Sequence, residues 1–164
     1  MTVETNYSSQ LQNSPEQQHY THKFKGFALT NTNDSGNAQS IIQAPSTQLL
    51  VGEQKTLMDS PTITMYRDQQ APIVITAVSA EILHQQNMTI LIDDVKVSMP
   101  DQRNNNIVLT TEQLSLDNVT QSAKTTLPAT IIHGKGNMHG TGFEFNPHTQ
   151  TMKFLKDVRG IYER

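Results

Sequence analysis

The sequence feature that most constrains the fold is the stretch Thr76–Met99, whose pattern returns in three other parts of the chain. Near its end, the apolar residues Val95 and Val97 alternate with the polar residues Asp94 and Lys96. That period of two is typical of a strand with one buried face and one face in water. A polar segment in the middle of the stretch, HQQN, indicates a turn after a weaker strand. The stretch therefore predicts a hairpin.

Three further segments repeat this plan of strand, polar turn and strand. They are Ile41–Tyr66 with a turn at Gly52–Lys55, Ile107–His133 with a turn around Val119–Ser122, and Met138–Tyr162 with a turn at His148–Thr151. Equivalent points of the four units are Pro61, Val95, Pro128 and Val158, about 34, 33 and 30 residues apart, within the period range of stacked repeats. We therefore expect an all-β fold of ten or more short antiparallel strands, built from about four hairpin repeats.

Composition agrees with this fold and narrows the function. Only 16% of the 164 residues are charged, and β-branched residues with scattered Gly and Pro suit an all-β protein. The net charge of −3, without a long basic run, argues against nucleic acid as a partner. Residues 1–18 are polar and without pattern, so we expect a disordered lead there and one domain over residues 19–164.

Glycine and proline mark the expected irregularities. Gly26 stands where the alternation of its segment changes phase, which predicts a β-bulge. A glycine cluster, GKGNMHGTG, predicts a hairpin turn near Asn137. Pro61 and Pro128 are expected at the starts of strands, where a missing N–H breaks no ladder hydrogen bond.

No motif of the chain indicates catalysis or metal binding. The glycine cluster fits neither phosphate-loop spacing, and no helix is expected after it. His133 and His139 would lie about 20 Å apart on an extended strand, too far to share a metal ion. Adjacent acids such as Asp93 and Asp94 point to opposite faces of a strand, so no acid pair is set up for hydrolysis. We therefore expect no catalytic residue, no metal site and no cofactor, and a protein that is not an enzyme.

The apolar faces of the strands are the remaining candidate for function. Short hairpins stacked in a row leave apolar side chains and unpaired backbone at the ends of the array, and an open apolar groove suits a long apolar ligand. The residues predicted to line such a groove are Ile75, Ile92, Val95, Val97, Leu109, Leu114, Leu116, Ile131, Phe143, Phe145 and Phe154.

Five segments carry a resemblance to a known family. They are IDDVKV from Ile92, LTTEQLSLD from Leu109, the threonine-rich stretch up to Pro128, HGKGNMHGTGFEF from His133 and LKDVRGIYE from Leu155. In their order and spacing, residues Tyr20–Glu163 resemble the periplasmic domain of the LptC family of lipopolysaccharide export proteins. LptA and the N-terminal part of LptD share the same repeat.

The resemblance implies an open β-jellyroll of OstA-like type, with a twisted-boat shape, and no cofactor. It also implies a periplasmic domain anchored in the inner membrane by a helix absent from this chain. Such a protein accepts lipopolysaccharide from an inner-membrane ABC transporter and passes it to LptA, and the lipid A acyl chains follow the groove. The transporter side would contain Tyr20, Phe24 and Phe27, and the LptA side would contain Val158, Arg159, Gly160, Ile161 and Tyr162.

Three alternatives remain open at the level of sequence. The chain could be a free periplasmic bridge protein like LptA, which would associate head to tail with itself. A structural β-repeat protein of a cell surface would have the same strands and a fully packed apolar face. A carbohydrate-active enzyme on a stacked-β scaffold is the third alternative, and it would need an acid pair that the sequence does not show.

Overall fold

The computed structural model describes residues 2–7, 21–101, 103, 105–149 and 151–162. Within these residues the chain forms twelve β-strands and one short 3-10 turn, His84–Gln86. The strands are β1 Thr2–Tyr7, β2 Thr21–Thr32, β3 Ala38–Leu50, β4 Lys55–Asp59, β5 Thr62–Arg67, β6 Gln70–Thr76, β7 Ser79–Leu83, β8 Met88–Pro100, β9 Asn106–Asp117, β10 Ala123–His133, β11 Gly136–Asn146 and β12 Thr151–Tyr162. All paired strands are antiparallel. The all-β prediction is confirmed.

The four predicted hairpins are present as β3–β4, β7–β8, β9–β10 and β11–β12. Backbone hydrogen bonds connect the turns of the first three hairpins. The His84 N–H donates to the Gln54 carbonyl at 3.1 Å, and the Asn118 N–H donates to the Asn87 carbonyl at 2.8 Å. Asp117 supports the third turn, since its Oδ1 accepts hydrogen bonds from the two backbone N–H groups of Val119 and Thr120. Polar residues between apolar runs therefore form the turns, as the sequence predicted.

The strands form one sheet that bends into two half-sheets. Ten strands follow the order β1-β2-β3-β4-β7-β8-β9-β10-β11-β12, while β5 and β6 connect β3 to β8 by a second route. On β3, residues 46–50 pair with β4 and residues 40–43 pair with β5. On β8, residues 88–92 pair with β7 and residues 96–98 pair with β6. We call the part that contains β4 and β7 the first half-sheet, and the part that contains β5 and β6 the second.

The bend is built from residues with unusual backbone angles. The ladder is irregular between Ile92 and Val95 of β8, where Asp93 and Asp94 have φ values of 62° and 49°. Asp157 of β12 has a φ of 55° at the corresponding irregularity. Aspartate tolerates this left-handed region better than most residues, and a bulge increases the local twist of a strand. Val95 and Val158, the equivalent points of two of the repeats, lie beside these breaks, so these repeats share the bend.

Packing of the two half-sheets against each other forms the core. Leu91, Leu114 and Val95 are 0% exposed, and Met58 and Ile63 are 1% exposed. Residues from both half-sheets belong to this cluster, and β8 contributes to it on both sides of its bend through Leu91 and Val95. Burial of one such side chain contributes about 1.5–3 kcal/mol, and packing therefore stabilises the bend.

The structure differs from the sequence-based predictions at three places. Thr2–Tyr7 pair with β2 as a strand inside the segment predicted to be a disordered lead, because β-branched residues here can complete the open edge of β2. Residues 8–18 lie outside the described residues, so the predicted boundary stays a prediction. The glycine-rich turn lies at Gly134–Lys135, before Asn137, because Gly134 supplies a φ of 59°. Pro128 lies inside β10 at a register shift rather than at a strand start.

Candidate functional site

A continuous row of apolar side chains crosses the inner face of the second half-sheet. Each member is the register partner of the next on the neighbouring strand. The row consists of Leu29, Ile42, Ile63, Ile75, Val97, Leu109, Ile131 and Met138. Register partners point to the same face of a sheet, so alternation along eight separate strands combines into one apolar surface.

A narrow apolar groove lies between this row and the first half-sheet. Its cavity volume is about 30 Å³, which is room for one or two water molecules. The lining residues are Met65, Ile73, Ile75, Val97, Met99, Ile107, Leu109, Leu114, Leu116, Gln121, Ala123, Ile131, Phe143, Phe145 and Met152. All but Gln121 are apolar, and we call this surface the apolar groove. Its volume shows that the protein's own side chains fill most of the space between the walls.

The groove is closed in the middle of the sheet and open toward β12. Ile75 and Leu114 are 2% and 0% exposed, respectively. Toward the last strands, Ile131 and Phe145 are half-buried, and Met152 is 38% exposed. The two walls therefore separate toward the C-terminal edge, which exposes apolar side chains that a monomer would otherwise bury.

Eight of the eleven residues predicted to line a ligand-binding groove border this cavity, and their role in ligand binding stays a prediction. Val95 is in the closed core beside it. Ile92 lies on the opposite face, because its neighbour Leu91 is fully buried in the core and adjacent strand residues point in opposite directions. Phe154 packs against the ring of Phe143, with centroids 5.6 Å apart and planes at 65°.

Glycine makes the contact of Phe154 possible. A Cβ at Gly140 would lie 2.5 Å from Phe154 Cδ1 and 2.7 Å from Phe154 Cγ. Both distances are shorter than any stable carbon contact, so the ring occupies the space that a side chain at Gly140 would take. The glycine cluster therefore serves the packing of Phe154 against Phe143 as well as the turn.

Sequence reasoning missed seven residues of the groove lining. Met99 and Ile107 continue the alternation of Val97 and Leu109, so this signal was available in the sequence. Met65 and Ile73 lie on the β5–β6 hairpin, whose turn is only two residues long and which the repeat pattern did not separate from its neighbours. Ala123, Gln121 and Met152 are the others. No alternation distinguishes Gln121 or Met152, which stand beside turns.

The edge predicted for the LptA side is a free strand edge. Among the described residues, β12 pairs only with β11. Val158 and Ile161 are 53% and 65% exposed, and Arg159 and Gly160 are also exposed, while Tyr162 is the last residue of the strand. Unpaired backbone next to exposed apolar side chains is a template for pairing with another strand.

The edge predicted for the transporter side differs in detail. Phe24 and Phe27 are half-buried on β2, and their ring centroids are 6.5 Å apart. Because β1 pairs with β2, the outermost strand at this end is β1 rather than β2. Tyr20 lies outside the described residues.

A hydrogen-bonded pair of side chains lies where the inner face of β10 ends. Asp101 Oδ2 is 2.9 Å from His133 Nε2, and His133 is the register partner of Ile107, which lines the groove. Desolvation raises the pKa of Asp101, but hydrogen bonds from Asn105, His133 and Arg103 together outweigh it and lower the pKa to about 2. The carboxylate therefore stays charged and supports the loop between β8 and β9.

The groove offers a surface for apolar contacts. Its wall consists of aliphatic and aromatic carbon, three methionine thioethers and one amide. Within the described part of the chain, no group of three or more His, Cys, Asp or Glu side chains could hold a metal ion. No helix among those residues has the length and apolar character that a membrane span requires. The groove therefore suits an elongated apolar group.

Comparison with known proteins gives matches of two kinds, one to a family model and others to solved structures. The model of the family described as "Lipopolysaccharide-assembly, LptC-related" matches residues 2–163. The fold is similar to the crystal structure of LptH from Pseudomonas aeruginosa, described as the LptA homologous periplasmic component of the conserved lipopolysaccharide transport device. That similarity has a TM-score of 0.61 at 8% identity and covers 76% of this chain and 95% of the other. At this identity it concerns the fold alone. Comparison with curated proteins gives no match.

Proposed function

The chain belongs to the LptC-related family of lipopolysaccharide assembly, and we propose that it is the periplasmic component that passes lipopolysaccharide from the inner-membrane ABC transporter to LptA. The observation that carries the proposal is the apolar groove, which is closed in the middle of the sheet and exposed toward β12. A membrane anchor outside this chain and a position in the periplasm are parts of the same proposal.

Acyl chains give the groove a ligand of matching chemistry. Removing an acyl chain from water is worth about 0.8 kcal/mol per CH₂ group, or roughly 10 kcal/mol for a dozen carbons. Dispersion contacts with Ile131 or Phe145 are weak singly and have no preferred direction, so a chain can slide along the wall. The sugars and phosphates of the lipid remain in water at the open side, and no charged clamp is required.

The small volume of the groove sets a condition on this mechanism. A cavity of about 30 Å³ cannot hold a whole acyl chain, so the two half-sheets must separate as lipid enters. Strands β8 to β12 continue through the bend, and their ladder hydrogen bonds lie within each half-sheet rather than between the two walls. Opening therefore separates side-chain contacts without breaking the ladders. Entry of the acyl chain requires the least free energy at the exposed side of the groove near Met152.

The free edge of β12 supplies a docking mode for the next component. Pairing of a partner strand with β12 would satisfy its unpaired backbone groups and cover Val158 and Ile161. It would also extend the inner face of this chain into that of the partner, so an acyl chain would cross without exposure to water. At the opposite end, Phe24 and Phe27 would face the transporter.

Two adjacent isoleucines give a matched test of the lipid path. Ile131 lines the groove, whereas Ile132 is 45% exposed on the other face of the same strand. A photoreactive amino acid at position 131 is expected to form lipopolysaccharide adducts, and the same amino acid at 132 is expected to form none above background. Equal labelling of the two positions, or labelling at 132 alone, would contradict the proposal.

The second candidate function is a free bridge protein that associates with itself. The observation in its favour is the similarity of the fold to an LptA homologue, together with the free edge of β12. Sedimentation over a hundredfold range of concentration separates the two. Long head-to-tail oligomers of this chain alone favour the LptA-like function, while discrete species of low number favour the LptC-like one. A surface-fibre role would instead require filaments without lipid uptake.

A further inference from the structure

A second cavity lies on the outer face of the first half-sheet, on the side opposite the apolar groove. Its volume is about 140 Å³, several times that of the groove and enough for several water molecules. The residues around it include Gln113 and Ser115 of β9, Lys124 and Thr126 of β10 and Glu144 of β11. Their chain neighbours Leu114, Leu116, Ala123 and Phe145 line the groove, which places the cavity residues on the outer face.

A bulge in β10 creates this cavity. The register of β10 shifts between Thr125 and Pro128. The shift is held from both sides, because Thr125 Oγ1 accepts a hydrogen bond from the Leu127 N–H at 3.1 Å and Thr111 Oγ1 donates to the Pro128 carbonyl at 3.0 Å. Pro128 has no N–H to satisfy there. The depression is therefore part of the fold and not a gap between mobile side chains.

A glycine in β11 makes room for one of the residues that line the cavity. Gly142 has a φ of 72°, and a Cβ there would lie 2.8 Å from Leu155 Cδ1. Leu155 therefore packs across the strand at this point and is one of the lining residues, with Leu127 as the other apolar one. The remaining lining residues are polar, and we call them the polar rim.

The polar rim matches a neutral ligand that both donates and accepts hydrogen bonds. Lys124 and Glu144 are register partners, so opposite charges stand side by side and the rim has no net charge from this pair. Gln113 adds an amide, and Ser115 and Thr126 add hydroxyl groups, each of which can donate and accept. A charged ligand would meet an equal charge of its own sign, whereas a hydroxyl can donate to Glu144 and accept from Lys124.

We propose that this cavity, which we call the outer-face pocket, binds one ring of a neutral saccharide. The apolar face of a sugar ring would rest on Leu127 and Leu155, and its hydroxyl groups would pair with Gln113, Lys124 and Glu144. The pocket does not share a residue with the apolar groove. A test of saccharide binding at the outer-face pocket is therefore independent of a test of acyl-chain binding in the groove.

Titration of the whole chain with a neutral methyl hexoside, followed by amide NMR, tests the pocket. The expected result is saturable shifts confined to the amides of Gln113, Ser115, Lys124–Leu127, Glu144 and Leu155, and a tenfold or greater weakening in Lys124→Met and Glu144→Gln. Lys153→Met is the matched control, because Lys153 is the register partner of Glu144 but does not line the pocket. Absence of shifts at about 50 mM sugar, a concentration that saturates a site with a Kd of about 1 mM, or equal weakening in Lys153→Met, would overturn the proposal.

The source of the saccharide is separated by two further ligands. Deacylated and dephosphorylated lipopolysaccharide contains the neutral sugars of the lipid without its acyl chains, and a neutral maltooligosaccharide contains sugars of unrelated origin. Tighter binding of the first identifies the headgroup of lipopolysaccharide, and equal binding of both identifies a general glycan site. Both outcomes support the proposal. If deacylated and dephosphorylated lipopolysaccharide binds and neither Glu144→Gln nor Lys124→Met changes its affinity, the saccharide lies elsewhere and the proposal is overturned.

Discussion

Enlarging the apolar groove from within is expected to weaken the fold and strengthen lipid binding at once. Leu114 is fully buried and lines the groove. Replacement of a buried leucine by alanine costs about 2.7–5 kcal/mol, and the cost rises by about 24 cal/mol per Å³ of cavity. We expect Leu114→Ala to lose about 3–4 kcal/mol, because its new cavity joins a groove of about 30 Å³ that already exists.

The same change should make the protein's stability respond to an apolar ligand. A ligand that binds only the folded state, present at a hundred times its Kd, adds about 2.7 kcal/mol, so it would recover most of the loss. The assay is urea unfolding with and without dodecanoate below its micelle concentration. Leu114→Ala should gain stability on addition of dodecanoate, and the gain should exceed that of the unmodified protein.

Met58→Ala is the matched control for this prediction. Met58 is 1% exposed and lies in the closed core, three strands away from Leu114 through Ala80 and Leu91, or about 14 Å. Its replacement costs about 2–5 kcal/mol but opens no space beside the groove. Equal recovery of the two variants by dodecanoate would refute the reasoning, as would a failure of Leu114→Ala to recover.

Three other predictions follow from single contacts. Thr47 Oγ1 is buried and has no hydrogen-bond partner among the described residues, so Thr47→Val should stabilise the protein by about 1 kcal/mol in urea unfolding. Thr89→Val loses the 2.8 Å hydrogen bond to Asn118 and should destabilise the protein by about 1–3 kcal/mol; the opposite order would contradict the burial argument. Gly140→Ala should cost about 1–3 kcal/mol through overlap with Phe154, while Gly160→Ala, with its nearest atom at 3.5 Å, should be neutral in the same assay. The pKa of Asp101 is lowered to about 2 from an ordinary 3.8. The contribution of the Asp101 carboxylate to the free energy of unfolding is therefore complete above pH 3.8 and is lost as the pH falls toward 2. Asp101→Asn should flatten the dependence of stability on pH over that range, and an unchanged pH profile would exclude this contribution of Asp101.

Much of the fold could be predicted because the sequence of each hairpin shows both the alternation of its strands and the polar residues of its turn. Alternation identified the strands on both sides of each turn, and polar segments such as His84–Gln86 identified the turns. The phase of the alternation was harder to follow through the bend. Asp93 and Asp94 have left-handed backbone angles, so the inner face of β8 continues from Leu91 to Val95. Ile92 was therefore assigned to the wrong face, although it belongs to the same apolar run.

The groove lining could be predicted less completely, because it depends on which strands lie next to one another. The β5–β6 hairpin reaches the groove only because β5 pairs with β3 and β6 pairs with β8, and no local pattern in the sequence encodes that route. Met65 and Ile73 were missed for this reason. The outer-face pocket was also invisible in the sequence, since it depends on a register shift at Thr125 and on the path of Leu155 over Gly142.

The direction of opening follows from how the apolar row ends. Its members Ile63 and Ile75 are 1% and 2% exposed, whereas Met138 on β11 is 43% exposed. On β12 the register partner of Met138 is Gly160, which has no side chain to continue the row. The inner wall is therefore incomplete at the free edge, and another strand with an apolar residue in this register would complete it. An edge-paired partner would extend the groove at the place where this chain leaves it open, which is the geometry that transfer of an acyl chain between two proteins requires.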